Sequence, residues 1–485
     1  MSIAGSLSSA LSGLTANARA AEVVASNIAN VMTEGYGRRE IVLTSRQVGG
    51  VSQGVSVVGV HRHADMILIT DRRMAESTAG NYRIQSDFLR RLEGVLGSPG
   101  QEQSLNGRIA AFDAALIEAT SRPESEPRLA RVADAGRALV GQLDAVSSDI
   151  QTARARADDR IETGVAQLNS NLIRVDDLNR LIRNNTGIGR ETSALMDQRQ
   201  QLIDSISEIV PVREIARENG QVALITLEGA ILLDGRPSTF AFSAVGQITP
   251  DMTLASGALS GLTLNGKPLA TSSPKNLIAG GTLQADFLVR DHLAPQAQVQ
   301  IDAISREIID RFAAPGLDAT RAPGAPGLFT DAGTAFNPLD EVGLSQRLQL
   351  NVAVDPTAGG SLWRLRDGLG AAVPGQIGNS QLLIDWQVAL TAVQDPASAA
   401  VLAGRRSLAG LTSDIVSGVA GDRLNAEGEA SHAKALADAL VTLELTGGVD
   451  SDQEIQSLLL IEQNYAANAK VVQTVDQMIK LLLGM

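Results

Sequence analysis

Apolar positions near the start of the chain recur with a seven-residue period. Ile3, Ala10, Asn17, Val24 and Val31 form one row, and Leu7, Leu14, Ala21 and Ile28 form a second. Together they make an a/d seam of about four heptads, apolar except at Asn17. The last segment repeats the pattern, with Leu458, Tyr465, Val472 and Ile479 in one row and Ile461, Asn468, Val475 and Leu482 in the other. A strict heptad suits helix wound on helix, and one helix of this length is marginal alone in water. The pattern therefore predicts terminal helices that pair with each other and with neighbouring subunits and order on assembly. Asn17 and Asn468 would set register. The simpler alternative is two amphipathic helices packed on the remaining chain, with both asparagines in solvent.

Between the ends, residues 1–34 read as helix and Ile41–Val60 as strand and loop, with Gly49, Gly50 and Gly54 inside. Helical periodicity resumes over Met66–Leu96 and again through Leu105, Ile109, Phe112 and Leu116. A long helix is predicted from the Ser125–Pro127 start signal. Its stripe runs Leu139, Leu143, Val146, Ile150, Ala153 and Ala157, slips phase near Arg160, and resumes at Ile161, Val165, Leu168, Leu172, Val175 and Ile182. From 128 to 183 that helix would be roughly 84 Å long. Residues 212–274 turn β-branched, with Asn219-Gly220 and Asn265-Gly266 as hairpin signals. Thr282–Ala314 reads as helix, 316–378 as a proline-rich loop region with a strand near Leu348–Val354, and Ser380–Thr446 as helix again, ended by Gly447-Gly448. The predicted fold class is mainly α with an inserted small β domain, elongated and nested. Residues 1–35 and 450–485 form a terminal coiled-coil assembly domain. Residues 36–211 and 275–449 form a helical body, and 212–274 the inserted β domain.

Composition narrows the chemistry. The 485 residues suffice for about three domains. With no cysteine there is no disulfide scaffold, thiolate metal site or cysteine nucleophile. A net charge of −13 argues against nucleic acid as a partner. No apolar run of membrane-spanning length occurs, so no membrane insertion is expected. No basic residue precedes Arg19, so the start does not read as a secretory signal. His61 and His63 share a strand face but have no third ligand in sequence. The pairs Asp158-Asp159 and Asp176-Asp177 are helix neighbours that point apart. Gly187-Ile188-Gly189 lacks the third glycine of a dinucleotide loop, and Pro268 after Gly266-Lys267 breaks a phosphate-loop pattern. Asn184-Asn185-Thr186 fits a glycosylation acceptor, a triplet frequent by chance. No catalytic, cofactor-binding or metal-binding residue is assigned, and the chain is read as a non-enzyme without cofactors.

The block Ser26-Asn27-Ile28-Ala29-Asn30, followed by Thr33-Glu34-Gly35-Tyr36-Gly37-Arg38, resembles the N-terminal signature of bacterial flagellar axial proteins, the rod, hook and hook-associated family. Glu34 stands where that family usually has Pro, and Met32 where Asn is common. Tyr465–Val472 resembles the matching end block. Within the family, Met196-Asp197-Gln198-Arg199-Gln200-Gln201-Leu202 is similar to a block of hook-associated members, which usually have Asp where Gln200 stands. Gly280-Gly281-Thr282-Leu283 with Asp286, Arg290 and Asp291 is similar to a helix start in the same members. The resemblance implies a structural protein at the hook–filament junction. It would form a ring, meet hook protein on one side and a filament-side hook-associated protein on the other, and lie outside the cell after type III export without signal cleavage. It also implies an export chaperone on the C-terminal helical region, around 440–485, and a reduced central outer domain. A hook or distal rod protein is the alternative within the family. A secreted enzyme on a helical scaffold and a membrane-surface amphipathic protein are the alternatives outside it.

Overall fold

The computed structural model describes residues 3–33, 35–48, 51–98, 100–271, 273, 276–398 and 404–484. Glu34 of the signature block, Gly49, Gly50 and the 275 boundary lie outside the described residues. Helix α1 (Ile3–Ala29) is followed by an antiparallel ribbon of β1 (Arg39–Val48) and β2 (Val51–Arg62). The first helix stops short of residue 34. The Asn30 side chain donates to the Ser26 carbonyl at 2.8 Å and the chain turns there.

Helix α2 (Met66–Leu96) starts at Asp65, whose carboxylate accepts from the Ile67 and Leu68 amides. Helix α3 (Leu105–Ser121) starts at Ser104, whose hydroxyl accepts from the Gly107 amide. Helix α4 (Glu126–Gly187) then runs unbroken for 62 residues, roughly 93 Å. Pro127 sits in its first turn, where a missing N–H costs nothing. Ser125 occupies the cap position, yet its side chain makes no capping bond.

After α5 (Ser193–Ile209), strands β3 (Val212–Ala216), β4 (Val222–Thr226) and β5 (Ile231–Leu233) form one antiparallel sheet. Strands β6 (Phe240–Ala241), β7 (Thr263–Leu264) and β8 (Lys267–Pro268) form another. Both Asn-Gly dipeptides make the expected reversals, with left-handed φ at Asn219 and Gly220 and at Asn265 and Gly266. Next come α6 (Thr282–Leu288), a π-helical turn at Val289–Leu293, and α7 (Ala294–Phe312). Strand β9 (Phe329–Asp331) pairs with β10 (Leu348–Leu350), with the single turn α8 (Leu344–Arg347) between them and α9 (Arg364–Asp367) beyond.

The stretch expected as one helix over Ser380–Thr446 is two, α10 (Gln381–Thr391) and α11 (Leu408–Thr446). Pro396 lies between them, and Gln394 pairs with Arg406 in an isolated antiparallel bridge. Helix α12 (Ser451–Leu483) closes the chain.

Two apolar cores hold the body, and α4 runs through both. Leu129 to Ala157 pack with α2, α3, α7, α10 and α11 around Phe112, Phe312, Phe329 and Trp386. Ile161 to Val175 pack with α5, α6 and the 212–274 strands. The phase slip near Arg160 marks the handover between them. The apolar side chains of the 212–274 strands join the second core rather than closing one of their own.

The handover is polar. Asp158 points inward to Arg290 Nη1 at 2.7 Å, while its neighbour Asp159 is exposed. Burial pushes the Asp286 carboxyl up to about 6, against the pull of Arg160 at 2.6 Å. A carboxyl raised in this way favours the folded state at low pH. That contribution is lost as the pH rises from about 4 to about 6.

Candidate functional site

Helices α1 and α12 lie side by side and antiparallel. Gly13 faces Asn468, while Ile3 and Ser6 share a groove with Val475 and Met478. A Cβ on Gly13 would stand 2.7 Å from Asn468 Nδ2, so glycine permits the close approach there. On α1, Val24 is buried and Ile3, Leu7, Leu14, Asn17 and Ile28 are partly covered. On α12, Val475 is buried and Ile461, Asn468, Val472 and Ile479 are partly covered. Leu458, Tyr465 and Leu482 face outward. Leu482 lies past the level where Ile3 and Met478 meet. Neither Asn17 nor Asn468 makes a side-chain hydrogen bond among the described residues; Asn468 packs on Gly13, one turn from Asn17.

A second heptad row on α12, one residue out of phase with the first, escaped the sequence reading. It comprises Leu460, Ala467, Val471, Thr474, Met478 and Leu481. Leu460 is 59% exposed and Leu481 73%. Ile455 and Leu459 are exposed as well. The apolar arc of α12 is therefore wider than one partner helix covers. Extending the seven-residue count to the adjacent register would have revealed it.

The helix pair joins the body through an elbow built from the signature block. Asn27 is fully buried. Its Nδ2 donates to the Arg39 carbonyl at 2.8 Å, and its Oδ1 accepts from the Arg39 amide at 3.0 Å and from the Tyr36 hydroxyl at 3.0 Å. A short side chain with both a donor and an acceptor is what such a backbone pairing requires. Burial pushes the Tyr36 hydroxyl above its ordinary value, and the Arg39 guanidinium lies 4.7 Å from the centre of its ring.

Asp197 on α5 fastens the same elbow from the body side. It accepts from the Gly37 amide at 3.1 Å, Arg39 Nη2 at 2.7 Å and Arg62 Nε at 2.7 Å. A Cβ on Gly37 would stand 2.5 Å from Arg62 Nε. Gly35 takes a left-handed φ of 75° beside Gln201, as the turn demands. The second crossing is fastened too. Arg38 Nε meets the buried Glu454 at 2.7 Å, and Arg72 Nε meets Glu444 at 2.6 Å.

Arg199 serves a different joint, donating to Asn179 Oδ1 at 2.9 Å and to the Gly220 carbonyl at 2.7 Å. It thereby ties the β3–β4 turn to α4. Burial pulls its guanidinium below the ordinary arginine value. Ile28 lies in the helix seam, Asn30 holds the end of α1, and Ala29 and Gln198 face outward without a role in the elbow. Gln200 accepts from Arg62 and donates to Glu444.

Among the described residues no cluster of three or more His, Asp or Glu side chains could hold a metal, and no helix is long and apolar enough to cross a membrane. His61 and His63 stack edge to face at 4.7 Å, and His63 Nε2 lies 3.0 Å from Glu40.

Comparison with known proteins finds three family models along the chain. Residues 7–36 match the flagella basal body rod protein model, and residues 446–485 match the C-terminal model of the flagellar basal body rod FlgEFG proteins. Residues 89–328 match the helical domain of flagellar hook-associated protein FlgK. The chain's helical part, residues 89–328, thus matches the FlgK family. The end models alone suit any rod or hook protein; the helical-domain match separates the hook-associated members, and it contains Asp197 and Arg199.

Flagellar hook-associated protein 1 of Bacillus subtilis is 27% identical over 240 residues, covering 47% of this chain and 47% of its own length. The Salmonella typhimurium protein of that name is 26% identical over 233 residues, covering 47% of this chain and 42% of its own length. The match thus spans about half or less of these relatives. The flagellar hook junction protein FlgK of Burkholderia pseudomallei is similar in structure at a TM-score of 0.44 and 16% identity, over 54% of this chain and 47% of that one.

Proposed function

We propose that this chain is a non-catalytic structural component of the bacterial flagellum, forming a ring between hook and filament. Its partners are further copies of itself, hook protein on one side and a filament-side hook-associated protein on the other. It acts outside the cell after export without signal cleavage, and neither nucleic acid nor membrane insertion takes part. The division into a terminal pair (1–35 and 450–485), a helical body (36–211 and 275–449) and an inserted β segment (212–274) belongs to this reading. So does an export chaperone holding the helical region around 440–485.

The observation that carries the reading is the arc of α12 left bare by α1. An apolar surface of that kind on a helix end is covered in a working assembly or becomes an aggregation hazard. Neighbouring subunits around a tube would cover it, and before export a chaperone would. The test is location. Electron microscopy of labelled protein on isolated hook–filament structures should show a narrow band at their boundary. Label along the hook shaft or below it would favour the hook or distal rod alternative.

A further inference from the structure

The Asn-Gly dipeptides of the two hairpin turns, Asn219-Gly220 and Asn265-Gly266, are joined by a third, Asn106-Gly107, in the first turn of α3. Asn-Gly is open to reaction with itself. The glycine amide nitrogen attacks the carbonyl carbon of the asparagine side chain and closes a cyclic imide. The bond to the side-chain nitrogen breaks, and ammonia leaves with the proton that the amide gave up. One water then opens the imide to aspartate or to isoaspartate, in which the backbone runs through the side-chain carbon. Glycine puts no Cβ in the way of the attack. The three dipeptides are alike in sequence, and the fold separates them.

At Asn106 both reacting groups are held. The Gly107 amide donates to the Ser104 hydroxyl at 3.0 Å, and Asn106 Nδ2 donates to the Ser413 hydroxyl of α11 at 2.9 Å. The helix fixes the backbone between them. Asn265 is exposed, but its side chain is clamped across the turn. Its Oδ1 accepts from the Thr239 amide at 2.9 Å, and its Nδ2 donates to the Ser238 hydroxyl at 3.1 Å. Attack requires that side chain to leave both partners. Asn219 has the same left-handed backbone, with φ of 55° against 50° at Asn265. Its side chain is exposed and makes no hydrogen bond among the described residues. Arg199 holds the Gly220 carbonyl and not the attacking nitrogen.

We propose that Asn219 is a site of spontaneous isoaspartate formation in the folded chain, and that the fold protects Asn106 and Asn265. The inference is independent of what the chain assembles with. Its consequence is local. Isoaspartate lengthens the backbone by one methylene where Gly220 lies against Ile182 and Met196, at a distance that leaves 3.0 and 3.4 Å for an added Cβ. The Gly220 carbonyl then moves off Arg199, and the β3–β4 turn loses its tie to α4.

The test is ageing of the full-length protein at mildly alkaline pH, followed by digestion in acid and mass mapping of the three peptides. Asn219 should convert at least about tenfold faster than Asn265, which must first break two hydrogen bonds, and Asn106 should be slower than Asn219 as well. In urea the three rates should converge. An isoaspartate-specific carboxyl methyltransferase with a labelled methyl donor should mark the 219 peptide of the aged folded chain. Ser238→Ala removes one of the bonds at an exposed position and should quicken conversion at Asn265. Conversion at Asn106 or Asn265 as fast as at Asn219 in the folded chain overturns the proposal. So does an intact Asn219 under conditions that convert the unfolded chain, or an Asn265 rate that Ser238→Ala leaves unchanged.

Discussion

Deleting Leu458–Met485 should leave a folded body and abolish filament attachment. Neither apolar core draws a side chain from α1 or α12, so the body keeps its packing. Glu454, which holds Arg38, also remains. What goes is the whole α1–α12 seam beyond the first two turns of α12, together with the bare arc. A buried leucine contributes about 1.5–3 kcal/mol, and the deleted segment carries Leu458, Leu459, Leu460, Leu481, Leu482 and Leu483. Complementation of a deletion strain should give hooks without filaments and cells that do not swim. Purified truncated protein should still unfold cooperatively. Filaments of normal number on cells carrying the truncation would remove helix pairing from the account.

The second large effect is expected from Asp197→Ala, through the elbow rather than the interface. The substitution leaves Arg39 and Arg62, both largely buried, without their carboxylate and the Gly37 amide without its acceptor. Removing one member of a buried charged set costs about 3 kcal/mol or more. Arg62 keeps Gln200 and the Gly35 carbonyl, so the loss is local. Amide exchange at Gly37 and its neighbours should quicken by about a hundredfold, with exchange in the middle of α4 unchanged. Assembly should weaken because the helix pair is no longer held at one angle to the body. Unchanged exchange at Gly37 would show that Asp197 does not hold the elbow.

These effects differ in how much the sequence announces them. The α4 stripe was legible because apolar residues recur at helical spacing on either side of Arg160, and even the slip there had a structural meaning. The hairpins at Asn219-Gly220 and Asn265-Gly266 were legible because few dipeptides accept two left-handed residues. The Asn27 clasp was legible only as a motif. A polar residue on a helix face reads equally well as solvated, and its partner Arg39 is fixed by a turn the periodicity does not describe. The Asp197 contacts join positions 158 and 135 residues apart, for which spacing carries no signal. The break between α10 and α11 had a signal in Pro396 that the surrounding apolar periodicity masked. The second row of α12 was missed for the opposite reason. One register already satisfied the heptad, so the adjacent one went unread, although the excess width distinguishes a helix with several partners from a helix with one.

That width is the centre of the account, and the absence of cysteine makes it measurable. A Leu460→Cys variant carries one thiol in an otherwise cysteine-free chain, at a position 59% exposed in the monomer. Maleimide labelling of the free protein should go to completion. In isolated hook–filament structures containing the same variant, labelling should slow by at least about tenfold as neighbouring subunits cover the row. Equal labelling in the free and assembled states would mean that the bare arc of α12 stays bare, and would contradict the account.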